Sequence, residues 1–117
     1  MPLVNALTEG VNMTTIPVPT EYNAAIVKII DWHLKAYEPD MFFDDCITRI
    51  RDCFSQENLV DGVAQVKITA FCDDLHCLHD CFSDATNNIA KCGVNEDLVW
   101  EIYNWIAAER EQRSHTL

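Results

Sequence analysis

The sequence predicts a single all-α domain, compact, built of four to five principal helices and stapled by disulfides, and three observations carry that expectation. Ala64, Ile68, Phe71, Leu75, Leu78 and Phe82 are separated alternately by four and three residues, and Ala85, Ile89 and Cys92 continue the series, which is the spacing of one buried helix face. Six cysteines occur in 117 residues, an even number in a small acidic chain, which favours a disulfide framework over isolated thiols. No stretch alternates apolar and polar residues about a hairpin turn clearly enough to predict a strand pair. Cys72, Cys77, Cys81 and Cys92 lie on or beside the periodic face, so the segment from 64 to 92 is the one to which the rest of the chain is fastened.

Charge and composition bound the function. Nineteen acidic side chains against eight basic ones give a net charge of -11. That field repels polyanions, and no cluster of lysine or arginine offsets it, which argues against nucleic-acid binding and against anionic membrane surfaces. No apolar run approaches the roughly 20 residues needed to span a bilayer, so no transmembrane segment is expected. The cysteine content and the sequon Asn12, Met13, Thr14 suit an extracellular, secreted protein. The first ten residues have neither the basic n-region nor the sustained apolar run of a signal peptide.

The expected organisation is an irregular arm over residues 1–19, one helical domain over 20–110 and a tail over 111–117. The arm contains Gly10, Pro17 and Pro19 without a firm period and lies partly on the body. Thr20 is placed to cap a first helix that runs from Glu21 to about Tyr37 and stops at Glu38, since a residue before proline is pushed out of the helical region. Its apolar residues leave only a narrow polar strip of Lys28, Asp31 and Lys35, so it is expected to be central, covered by a partner subunit or lining a cavity, central packing being the simplest case.

Pro39 and Asp40 open the second helix, in which Phe43, Ile47, Ile50 and Phe54 make the main apolar row. Cys46 and Cys53, seven residues apart, share a second row. Residues 55–62 form a connection in which Asn58 caps a short turn. A single straight helix from Ala64 to Cys92 would exceed about 40 Å at 1.5 Å per residue, too long for a domain of this size. A break is therefore expected near Ser83, whose hydroxyl would cap a fourth helix ending at Gly93 in the left-handed conformation. Asn95 caps the last helix, with Leu98, Val99, Ile102, Tyr103 and Ile106 facing the core, and beyond Ala108 the tail frays or projects. The helical reading is weakest over residues 60–70, where Val60, Val63, Val66, Ile68 and Thr69 are β-branched.

Antiparallel packing of the second and third helices would set Cys53 against Cys72 and Cys46 against Cys77 or Cys81, leaving the remaining cysteine to Cys92. Metal is the competing use of these residues: Cys72 and His76 share a helix face, as do Cys77 and Cys81, but their spacing lacks the paired short loops of a usual structural zinc site. The string from Cys77 through His79 and Asp80 to Cys81 resembles the active-site helix of the secreted phospholipases A2, in which a His-Asp pair is flanked by cysteines. That resemblance would imply a calcium-dependent lipase. The chain has only three glycines, however, so the glycine-rich calcium loop is missing and with it the electrophile such chemistry needs. Insect odorant carriers are similar in size, acidity, helix content and cysteine number, but not in cysteine spacing. Ser55 and Ser83 lie in no glycine elbow and read as caps. Neither a cofactor nor an enzymatic activity is expected.

The expected function is binding to a protein partner, as a secreted effector, toxin or signal, with a homodimer as one form of that partner. The alternative is carriage of a small apolar ligand. Surplus aromatics serve either purpose, and Trp32, Tyr37, Trp100 and Trp105 are the candidate contacts, since Trp100 and Trp105 cannot both join the core stripe of the last helix.

Overall fold

A computed structural model of the chain describes residues 13–37, 41–69 and 74–114. They form the helices α1 (Asn23–Ala36), α2 (Met41–Asp52), α3 (Asp74–Thr86), α4 (Ile89–Cys92) and α5 (Glu96–Ser114). Two strands, β1 (Met13–Pro17) and β2 (Gln65–Thr69), pair antiparallel. The domain is thus helical and compact, with one short ribbon laid on it. α3 is its hub, touching α1, α2, α4, α5 and β2.

From Leu75 onward the periodic residues do what their spacing predicts, while Phe71 lies outside the described residues. Leu75, Leu78, Phe82 and Ala85 of α3 are at most 1% exposed and meet Ile26, Ile29 and Ile30 of α1, Ile47 and Ile50 of α2, and Val99, Ile102 and Ile106 of α5 in one core. Each fully buried aliphatic or aromatic side chain contributes about 1.5–3 kcal/mol by leaving water, so these rows outweigh any local propensity. The central placement expected for α1 follows from the same contacts.

The ribbon is a correction to the sequence reading, which expected no strand pair and began a helix at Ala64. Ile16 lies directly opposite Val66, both buried, and the Val18 N–H donates to the Ala64 carbonyl at 2.9 Å. Ala64 and Val66 face the core while Gln65 is half-buried, a period of two that the longer apolar series had concealed. Val60 and Val63 bridge around Asp61 and Gly62, whose φ angles are 54° and 83°. Asp-Gly at positive φ between β-branched residues is a tight-turn signal, and the strand that follows it occupies the residues where the helix was expected to begin.

Three helix ends also differ from expectation. Thr20 makes no cap; it begins a 3-10 turn, Thr20–Tyr22, that leads into α1. Ser83 does not break the third helix, which continues to Thr86. There the Thr86 hydroxyl and the Asn87 side-chain amide donate to the Ser83 carbonyl, and the Asn88 amide donates to the Asp84 carbonyl at 2.8 Å, so side chains take over the last carbonyls and end the helix. The last helix runs on to Ser114 instead of fraying after Ala108. Gly93 is left-handed with φ 73°, and the Asn95 side chain accepts from the N–H of Asp97 and Leu98, both as expected. Pro39, Asp40 and Cys72 lie outside the described residues.

Cys46, Cys81 and Cys92 are buried, and Cys53 and Cys77 are half-buried. One cysteine pair lies 2.7 Å apart, and among the described residues no disulfide is formed.

Candidate binding sites

α1 ends on an aromatic cluster. Its last turn sets His33 on the buried face, and Tyr37, four residues on, stacks over the imidazole with ring centroids 4.5 Å apart and planes 27° apart. Phe43, from the start of α2, covers it at 5.0 Å, and Trp32 stands edge-on to both His33 and Tyr37. His33 is 6% exposed.

Its Nε2 lies 2.9 Å from Asp84 Oδ2 of α3. An ionised carboxylate can only accept, so Nε2 donates to it, and in the neutral imidazole Nδ1 is then the acceptor. That Nδ1 is buried and meets no hydrogen-bond partner. Asp80 and Asp84, one helical turn apart, project from the same side of α3 as Ser83. Together with Asp44 of α2 they line an open cleft of about 400 Å³ whose other walls are His33, Tyr37 and Phe43. Burial and the charge of Asp84 push the Tyr37 hydroxyl above the ordinary tyrosine range, against a hydrogen bond with Asn88.

A second aromatic group lies on the other flank of α3, against α5. Trp100 is 43% exposed and meets Tyr103 edge-to-face at 5.6 Å, and Tyr103 lies tilted over His79 at 4.9 Å. Burial, then the cation of Arg110, lowers the His79 pKa from its usual value. Arg110 donates to His76 Nδ1 at 3.0 Å, and His76 Nε2 stands 3.5 Å from Asp80. Among the described residues no three His, Cys, Asp or Glu side chains are arranged to hold a metal ion, and Cys72, the first of the ligands suggested by the sequence, lies outside them.

The predicted contact residues therefore separate. Trp32 and Tyr37 come together at His33, Trp100 belongs to the α5 surface, and Trp105 is half-buried against Tyr22, edge-on at 5.7 Å. Tyr22 in turn donates to Glu101 Oε2 at 2.7 Å, and burial, with that carboxylate beside it, pushes its pKa to about 12. Sequence reasoning passed over His33, Phe43 and Tyr103 as site residues. The available signal was His33 itself, a lone polar residue on the apolar face of α1. Burial, followed by the negative charges of Asp84 and Asp80 and the neighbouring Cys46, holds the Cys81 thiol protonated well above the usual range.

Comparison of the chain with known protein families, with curated proteins and with solved structures returns no match, so its function is argued from its own geometry.

Proposed function

We propose that this chain is a non-enzymatic secreted protein that acts by binding a protein partner through the Trp100, Tyr103 and His79 surface. Trp100 carries the reading: a large indole left 43% exposed, yet held in place by the edge of Tyr103. A tryptophan already fixed in one position gives up little freedom when it is covered, which is why such residues dominate interface energies. The chain's charge of -11 selects a partner with a basic rim and opposes a second copy of itself. A carrier of apolar cargo is less well supported, because the clefts of about 400 and 480 Å³ are open and have charged side chains in their walls.

The disulfides belong to the same proposal. α2 and α3 pack together, so Cys46 with Cys77 or Cys81 is the first cross-link expected in an oxidising compartment. Peptide mapping without reduction should recover Cys46 joined to Cys77 or Cys81 from material secreted by its source, whereas six thiols there would reject both the cross-links and the compartment.

Photo-crosslinking tests the binding surface. A benzoylphenylalanine replacing Trp100 should give one discrete adduct with another protein in the source's extracellular fluid, and the same probe replacing the exposed Glu57 should not. Identical patterns from the two positions, or adducts only with a second copy of the chain, would reject the proposed surface.

A further inference from the structure

We infer that the cleft beneath His33 is a second site, separate from the Trp100 surface, and that it takes an organic ammonium group attached to an apolar body. Its walls supply both halves of such a ligand. Asp44, Asp80 and Asp84 contribute carboxylates, no lysine or arginine is among the described lining residues, and Tyr37 and Phe43 contribute aromatic surface. An ammonium beside carboxylates and aromatic rings is held by charge and by the rings' quadrupoles together, and the rings also receive the hydrocarbon attached to it.

Acidic side chains alone would describe a solvated surface. His33 makes the difference, being 6% exposed and lining the cleft while its Nδ1 has no partner. In the neutral imidazole the proton that Asp84 accepts is on Nε2, which leaves Nδ1 a lone pair that lacks a donor. A carboxylate or phosphate ligand would bring only acceptors to this nitrogen and would be repelled by three acids. An ammonium brings N–H donors. The volume of about 400 Å³ accommodates an arylalkylamine or the side chain of a lysine with its neighbours.

Titration of the full chain followed by two-dimensional NMR tests this, using 2-phenylethylammonium, 3-phenylpropionate as the probe of similar body and opposite charge, and a blocked lysine tripeptide. Saturable shifts at His33, Tyr37 and Phe43 are expected with the amine and absent with the acid. Asp84→Asn and Asp44→Asn should each weaken amine binding about tenfold, as loss of a charge-assisted contact predicts. The second variant leaves the His33 hydrogen bond in place, so a fall in affinity there cannot be assigned to a displaced imidazole. Tighter binding of the tripeptide than of the free amine would bear out the ammonium chemistry and assign its source to a protein side chain. Equal binding of amine and acid, no saturable shift with either ammonium probe, or unchanged affinity in both variants would overturn the inference.

Discussion

His33 and His79 each lie against aromatic rings and each is reached by α3, yet their surroundings are opposite. His33 is enclosed by Tyr37 and Phe43 and donates to the carboxylate of Asp84. His79 is half-exposed beside Tyr103, with the cation of Arg110 nearby. One helix makes both environments because Asp84 turns toward His33 of α1 and His79 toward Tyr103 of α5, with Asp80 between them, lining the cleft and 3.5 Å from His76. The comparison shows how a ring cluster becomes a recess or a raised patch: the cluster that includes carboxylates from a second helix leaves a cleft, and the one that packs ring on ring leaves an exposed tryptophan.

The largest effect expected is on stability at His33. His33→Ala removes a buried ring, its stacking and its bond to Asp84, and should cost about 2–4 kcal/mol in urea unfolding. His79→Ala should cost less than about 1 kcal/mol, and equal losses would break the contrast between the two regions.

Next comes the seam that fixes α5 to the start of α1. Tyr22→Phe deletes the hydroxyl that donates to Glu101 and should cost about 1 kcal/mol. Because the folded pKa is raised, to about 12, the stabilising bond is complete below the unfolded tyrosine value near 10 and is lost as pH rises toward 12. Alkaline unfolding should therefore shift less with pH in Tyr22→Phe than in the parent.

Asp31 offers a smaller test on the outer side of α1. Arg51 donates to both of its carboxylate oxygens, at 2.6 and 3.0 Å, and these hydrogen bonds lower the Asp31 pKa. With both side chains about two-fifths exposed, solvent screening limits Asp31→Asn to about 0.5 kcal/mol. The sign follows from the depressed pKa: the contribution is present above the unfolded aspartate value and lost as pH falls through the folded one.

The smallest change in stability is expected at the proposed protein contact. Trp100→Ala should alter unfolding by no more than about 0.5 kcal/mol while abolishing the discrete partner interaction; a large loss of stability would make Trp100 a packing residue and weaken the contrast. The NMR titration of His79 sharpens it further. Its midpoint should lie below the usual histidine value and rise in Arg110→Gln, since a neighbouring cation is removed. With its folded pKa lowered, His79 favours the folded state above the unfolded value and ceases to do so as pH falls through the folded one.

Much of the core was legible because helical burial repeats at short intervals. The rows Phe43, Ile47, Ile50 and Phe54, and Leu75, Leu78, Phe82 and Ala85, identify their own faces without knowledge of a neighbour, and so do the stop at Gly93 and the cap at Asn95. That Trp100 and Trp105 could not both join the stripe of their helix was legible in the same way; that Trp100 is the exposed one and Trp105 packs against the core was not. Residues 64 and 68 fit the helical series by coincidence of spacing. Ile68 lies in the strand and Ala64 just before it because the segment 13–18, about fifty residues earlier, supplies the hydrogen bonds, and a local pattern carries no record of so distant a partner.

The same distinction governs the sites. By itself the sequence determined the acidity, the helical faces and the supply of aromatic side chains, all of which depend on residue identity and short-range periodicity. Only the tertiary structure decided that His33 meets Asp84, 51 residues away, and that Tyr103 meets His79 across two helices. Those contacts depend on the angle and register at which helices pack, which the sum of many small dispersion and burial terms selects, and no motif of a few residues encodes that sum.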